Sequence, residues 1–252
     1  MNIIVNQDNN NLKIDNLEIK EITIKENLNA NIFIKTINSR DLKIDIKANS
    51  QINLLLPLEI KYPNNFITIN LDRDARLNLY SFNFNETQDI KLNVNLIETS
   101  AEVNYKGVFI ANSNIQQNIE AIIENKAPTT NGEILIIGIS KDDSKIAING
   151  ISKIHQGMSK SSNLQSLKGF ISDNSTLTLN PILLIDEFDV KAGHGASSGI
   201  IDEEIIYYLM TRGLSENKAK QLYLLGQVEP VINEIWNQDL KDLLTEKVKE
   251  AV

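Results

Sequence analysis

The chain of 252 residues carries two histidines, His155 and His194, and no cysteine. Without a thiol there is no disulfide, no thiolate zinc site, no thiol nucleophile, no persulfide and no iron–sulfur cluster held by the chain's own sulfurs. The two histidines have neither the H-E-x-x-H nor the facial-triad spacing of a metal site. His155, in Ile154-His155-Gln156-Gly157, reads as a strand-end or turn residue rather than a ligand. His194 stands between Gly193 and Gly195 at a β-to-helix junction. It is either a hydrogen-bonded corner residue or one free to project toward a partner, with an imidazole that changes charge near neutral pH. Gly195-Ala196-Ser197-Ser198-Gly199 spells G-x-S-x-G. That nucleophile elbow needs a histidine after the serine in chain order. Both histidines precede Ser197, so the string reads as a small-residue turn that permits a tight corner. Gly193, Gly195 and Gly199 approach a dinucleotide fingerprint but have the wrong last spacing and no βαβ context. The acid pairs Asp142-Asp143, Asp186-Glu187 and Glu203-Glu204 read as solvated turns and a helix start. A β-helix carbohydrate lyase or hydrolase would need a groove of acids, arginine and aromatics, and aromatics make up only 6 % of the chain. The residues alone declare no enzyme.

The elements that must position these residues divide the chain in two. Leu12 to Asp15, Ile22 to Lys25, Ile32 to Lys35 and Leu42 to Ile46 alternate apolar and polar, as half-buried strands do. Ile134 to Ile137 and Ile182 to Ile185 are continuously apolar, as strands buried on both faces can be. Turn clusters such as Glu26-Asn27, Asp72-Arg73-Asp74 and Lys141-Asp142-Asp143 punctuate them at the rhythm of a sandwich, barrel or solenoid. Abundant asparagine, able to ladder or to take left-handed corners, favours a β-solenoid. Two-residue hairpin signals are few, Asn131-Gly132 and Asn149-Gly150 being the exceptions. The fold class read here is mainly β, with a β-helix core over 1–200 and a C-terminal helical region over 201–252. In that region Asp202 caps a helix with Glu203 and Glu204 in its first turn, and Ile205, Tyr208 and Leu209 share a face. Arg212-Gly213 closes it. Ser215 caps a second helix that carries Ala219, Leu222, Tyr223 and Leu225 up to Gly226. A third runs from Val228 to about Lys249.

The balance of 25 basic against 33 acidic residues, net −8, argues against nucleic acid, since no Lys/Arg cluster is present. No apolar stretch approaches the roughly 18 residues of a membrane span. The start has neither a basic n-region nor an apolar h-region, so no secretory signal is expected and a cytoplasmic protein is.

One block is more specific: Asp189-Val190-Lys191-Ala192-Gly193-His194-Gly195-Ala196-Ser197-Ser198-Gly199, then Asp202-Glu203-Glu204, then Tyr207-Tyr208-Leu209-Met210-Thr211-Arg212-Gly213-Leu214. Upstream stand Gln165-Ser166-Leu167, Ile171-Ser172-Asp173, and Pro181 with Leu183 and Ile185. In order and spacing, Gly150 to Trp236 resembles the SufB/SufD family of iron–sulfur cluster assembly proteins, whose pattern reads D-V-K-C-x-H-G-A-T-x-G followed by F-Y-L-x-x-R-G-I.

The resemblance implies a right-handed parallel β-helix followed by C-terminal helices. It implies that two such subunits pair through their β-helices and that each helical region docks an ABC-type ATPase, SufC. ATP-driven dimerisation of the ATPases then opens the paired interface, where the nascent cluster forms. B-type members tend to carry E-H-E-A-T where this chain has Gly193-His194-Gly195-Ala196-Ser197, so a D-type subunit is implied. Its expected role is that of a non-catalytic scaffold. His194 is then a non-thiolate ligand or helper for a transient cluster at the subunit interface, and no cofactor is held stably by this chain alone. Asp202, Glu203, Tyr207, Tyr208, Arg212, Gly213 and Leu214 are the residues implied in helix geometry or ATPase docking. Ala192 stands where many D-type members have cysteine, which implies either that a SufB-like partner brings the sulfur ligands or that this chain has a structural role in the complex. The alternative is a homodimeric B-like subunit of a two-component system. Ile206 replaces an aromatic, a conservative packing change.

Overall fold

The structure, a computed structural model, describes residues 2–15, 18–56, 59–60, 62–172 and 174–252. Met1 and Asp173, the latter in the Ile171-Ser172-Asp173 segment, lie outside the described residues. The chain first forms β1 (Asn2–Val5), β2 (Asn9–Ile14), β3 (Glu21–Ile24), β4 (Asn29–Ile34), β5 (Thr36–Ile37) and β6 (Asp41–Ile46). There follow β7 (Gln51–Leu55), β8 (Glu59–Ile60), β9 (Asn64–Leu71), β10 (Arg76–Phe84), β11 (Gln88–Leu96) and β12 (Glu102–Ala111). The last strands are β13 (Gln116–Asn125), β14 (Asn131–Ser140), β15 (Lys145–Ile154), β16 (Ser162–Ile171), β17 (Thr176–Ile185) and β18 (Lys191–Ile200). Three helices close the chain: α1 (Glu203–Thr211), α2 (Glu216–Ile232) and α3 (Gln238–Ala251).

Successive strands alternate between two parallel eight-stranded sheets, one ordered β1-β3-β6-β9-β11-β13-β15-β17 and the other β2-β4-β7-β10-β12-β14-β16-β18. The short β5 and β8 pair beside them. This is a parallel β-solenoid. Its coils widen along the chain: Asn2 faces Glu21, 19 residues on, whereas Asn149 faces Asn180, 31 residues on. Widening with an in-phase register keeps each inward residue above an inward residue, so the strand period of two persists through every coil.

Asparagine and its polar neighbours make the corners. Asn27, Asn49, Asp74, Ser100, Thr129 and Lys160 all have positive φ. Asn and Asp tolerate that conformation best among residues with a side chain. The corners are stapled between coils, with the Asn27 amide donating to Ala48 O at 2.9 Å, Asn49 to Arg73 O at 2.9 Å, and Lys160 to Asp189 O at 2.6 Å. Neither Asn-Gly pair forms a hairpin. Asn131-Gly132 opens β14 and Asn149-Gly150 lies inside β15, because every strand pair is parallel and takes no two-residue turn.

The inward residues of both sheets, among them Ile44, Ile69, Val94, Ile148 and Leu79, form one continuous core. A second layer lies on the outer face of the β18-containing sheet. There Phe33, Leu55, Phe82, Val108, Ile110, Ile137 and Ile139 meet Ile206, Leu224, Val228, Val231, Ile235, Leu244 and Val248 of the helical segment. Strand segments buried on both faces read as unbroken apolar runs, as at Ile134 to Ile137. The run at Ile182 to Ile185 has a different cause. Ile182 and Leu184 are 38 % and 47 % exposed on β17, the last strand of its sheet.

Three expectations for the helices need correction. In α1 the buried face is Ile206 with half-buried Leu209, while Ile205 and Tyr208 point to solvent. The second helix does not stop at Gly226 but runs through it and Pro230 to Ile232. Burying Leu224, Val228, Val231 and Ile232 outweighs the roughly 1 kcal/mol that an interior glycine costs and the roughly 3 kcal/mol of an interior proline. The same packing face leaves Leu222 exposed. The third helix begins only at Gln238, where Asn237 accepts from Leu240 N at 3.0 Å as its cap.

Candidate functional site

Among the described residues β18 is the last strand of its sheet and pairs on one side only, with β16. The string Gly195 to Gly199 is therefore an edge strand rather than a turn. None of its glycines has positive φ, so their small size, not left-handed freedom, is what the strand uses. His194 accordingly sits within a strand and not at a corner.

Its register sets where the imidazole stands. Asn163, Gln165 and Leu167 of β16 face inward and are buried, and they pair with Ala192, His194 and Ala196. In-register neighbours of a parallel sheet share a face, so His194 belongs to the inward column. No further coil covers it among the described residues, and its side chain is exposed at the mouth of the solenoid. Across the mouth lies β17, whose Pro181 pairs with Gly150 of the coil beneath.

Under His194 the interior turns polar. Gln165 Nε2 donates to Ser152 Oγ at 2.6 Å and to Ile182 O at 2.9 Å. Ser152 Oγ donates to Asn163 Oδ1 at 2.5 Å, and Asn163 Nδ2 to Asn125 Oδ1 at 2.9 Å. Asn125 in turn donates to Thr130 Oγ1 at 2.9 Å. The network replaces the aliphatic packing of earlier coils, and a Cβ at Gly150 would lie 2.9 Å from Gln165 Oε1. Gln165 Oε1 is buried and accepts no hydrogen bond. In the sequence Gln165 stands out only as part of Gln165-Ser166-Leu167 in the family resemblance, and nothing there marks Ser152 or Asn163.

The rim of the mouth is apolar and held in place. Phe188, in the loop before β18, is fully exposed, and Ile200 at the far end of β18 faces solvent, while Leu164 is exposed on the outer face of β16. Glu187 fixes the loop before β18 by accepting from Phe188 N at 2.8 Å, Gly157 N at 2.8 Å and Asp189 N at 3.3 Å. These backbone N–H groups, Phe188's first, hold the Glu187 carboxyl below its usual range.

The helix residues singled out from the sequence divide by what they touch. Asp202 caps α1 by accepting from Glu204 N at 2.9 Å, and Glu203 is exposed in the first turn. Arg212, Gly213 and Leu214 end the helix. Gly213 has φ +94, its N–H donates to Met210 O at 2.9 Å, and Leu214 N donates to Leu209 O at 3.4 Å, which is a Schellman closure. Leu214 packs on the helix–sheet core. Tyr207 and Tyr208 remain exposed, with Arg212 stacked 5.2 Å over the Tyr208 ring. Six strand residues separate His194 from the end of β18, about 20 Å at strand rise. The histidine mouth and the tyrosine face are thus separate surfaces.

His155 lies in the turn after β15, its Nε2 3.1 Å from Glu124 Oε2. No group of three or more His, Asp or Glu side chains poised for a metal occurs among the described residues. His194 therefore offers one imidazole and no ligand set of its own.

Comparison with known proteins agrees with this architecture. Residues 20–227 match the family model described as SUF system FeS cluster assembly, SufBD core domain. The chain is 36 % identical over 148 residues to the iron–sulfur cluster assembly protein SufD of Bacillus subtilis, covering 58 % of this chain and 34 % of that protein. It is 30 % identical over 122 residues to an iron–sulfur cluster assembly SufBD family protein of Staphylococcus saprophyticus, covering 47 % of this chain and 26 % of that one. The Staphylococcus haemolyticus protein of the same description matches to the same extent. The matched stretches thus span about a third or less of these relatives. The chain belongs to the SufB/SufD family of iron–sulfur cluster assembly proteins and is SufD-like.

Proposed function

We propose that this chain is a D-type scaffold subunit of a Suf-like assembly complex, with no catalytic chemistry of its own. The observation that carries this reading is the uncovered last coil, with His194 on its inward column and a free strand edge beside it. An unpaired edge strand rimmed by exposed apolar side chains is a template for association with another chain. A SufB-like subunit is the partner that fits. It would bring the thiolates this chain lacks, while His194 adds an imidazole, a ligand suited to iron beside sulfur. The iron–sulfur cluster is the cargo of the assembled interface. Self-pairing would offer two imidazoles and no thiolate, which disfavours the homodimeric reading.

The second surface is α1. Ile206 and Leu209 anchor it to the sheet, and Tyr207 and Tyr208 are exposed on the side turned away from it. Aromatic anchors presented on a fixed helix suit a helix-in-groove contact, and the SufC-like ABC ATPase is the partner proposed there. The test is reconstitution of the chain with a SufB-like and a SufC-like protein. His194→Ala should leave complex formation intact and lower cluster yield. An unchanged yield would remove His194 from the assembly site.

A further inference from the structure

The asparagine ladders show how in-register polar neighbours settle in this solenoid. Asn53 Nδ2 donates to Asn31 Oδ1 at 2.7 Å and Asn78 Nδ2 to Asn53 Oδ1 at 2.8 Å. Asn95 Nδ2 donates to Asn70 Oδ1 at 2.8 Å and Asn180 Nδ2 to Asn149 Oδ1 at 2.9 Å. In each case the later coil supplies the N–H and the earlier coil the oxygen. His194 stands over Gln165 in this same relation.

Gln165 is prepared for such a neighbour. It is 5 % exposed, and both its N–H contacts, to Ser152 Oγ and Ile182 O, fix the amide plane. Gly150 leaves room for Oε1, which is buried without a donor. An acceptor buried and unpaired is costly, and nearly all such groups in proteins find a partner. The exposed His194 ring turns between staggered positions about Cα–Cβ and through broad, roughly two-fold wells about Cβ–Cγ, and it carries the N–H that the ladder calls for.

We infer that Gln165 is a positioning residue for His194: its Oε1 accepts a ring N–H of the imidazole, selects one tautomer, and directs the other ring nitrogen's lone pair out of the open end. A neutral imidazole has one donor and one acceptor nitrogen, and the partner of the first decides which nitrogen is left for a ligand. The use of that lone pair for a cluster rests on the function proposed above; the hydrogen bond itself does not.

The test is ¹⁵N NMR of the metal-free full chain at a pH where imidazole is neutral. With only two histidines in the chain, a His155→Gln variant assigns both rings. The expected result is a His194 tautomer ratio displaced about five- to tenfold from that of a free imidazole, the bias of a single net hydrogen bond. Gln165→Leu should bring that ratio close to the value of a free imidazole while leaving the His155 signals unchanged. Ser152→Ala, which removes a partner of Nε2 but none of Oε1, should keep the His194 bias. Freely averaging tautomers in the unaltered protein, or a bias that survives Gln165→Leu in a folded chain, would overturn the inference. Because no cluster is present, that failure is distinct from an unchanged cluster yield with His194→Ala, which would overturn the functional reading instead.

Discussion

The Glu124 carboxylate receives His155 Nε2 at 3.1 Å across one coil, with Lys126 at 3.2 Å and Lys153 at 3.9 Å on the same oxygen. Partial burial pushes the Glu124 carboxyl up. The hydrogen bonds from His155 and Lys126 and the charges of Lys126 and Lys153 outweigh it, so the group is held below its usual range. A carboxyl depressed in the folded state stabilises at neutral pH, and that stability is lost as the pH falls through the folded value. Urea titrations across the acid range should therefore show Glu124→Gln less stable than the unaltered chain at pH 7 and equal to it at the acid end. A constant difference at all pH values would contradict the assignment.

Tyr105 and Ser81 form a buried pair, their hydroxyl oxygens 2.7 Å apart, and burial raises the Tyr105 phenol. Tyr105→Phe leaves Ser81 without its partner and should cost about 1–3 kcal/mol. Adding Ser81→Ala should recover most of that loss, because both polar groups are then gone. Thermal or urea unfolding of the four proteins in the cycle measures the coupling.

Much of this architecture is legible in the residues. Alternation at Ile22 to Lys25 and Leu42 to Ile46 marks half-buried strands, and asparagine at Asn27 and Asn49 marks left-handed corners. Asp202, Ser215 and Gly213 each mark a helix boundary by their own chemistry. Which face of α1 is buried depends instead on the outer column of a distant sheet, so Ile206 rather than Ile205 packs inward. His194 was legible as a residue of interest. Its true place in an edge strand was not, because glycine-rich runs read as turns until a neighbouring strand fixes their register. Gln165, Ser152 and Asn163 meet only through coil stacking, and no local pattern joins them.

The exposed and buried faces of α1 predict opposite phenotypes. Ile206→Ala should destabilise the chain by about 2–4 kcal/mol through the cavity it opens in the helix–sheet layer. Tyr207→Ala should leave stability within about 0.5 kcal/mol and weaken binding of the proposed ATPase partner by tenfold or more, as loss of an aromatic anchor does. Unfolding curves and titration calorimetry read the two effects separately. A Tyr207→Ala variant that binds the ATPase normally would move the docking surface elsewhere.

Phe188 stands on a loop that Glu187 already holds through three backbone N–H groups. A pre-ordered aromatic loses little freedom on binding. Phe188→Ala should therefore weaken pairing at the open end by tenfold or more without shifting the unfolding midpoint. Sedimentation of the pair over a concentration series measures this. Pairing that is indifferent to the substitution would exclude Phe188 from the interface.

Native mass spectrometry of the full chain co-expressed with a cysteine-bearing SufB-like protein and a SufC-like ABC ATPase tests the proposed D-type role. The expected result is a complex in which one copy of this chain pairs with the SufB-like subunit and ATPase chains are bound. A monomer or homodimer that takes up neither partner would contradict it.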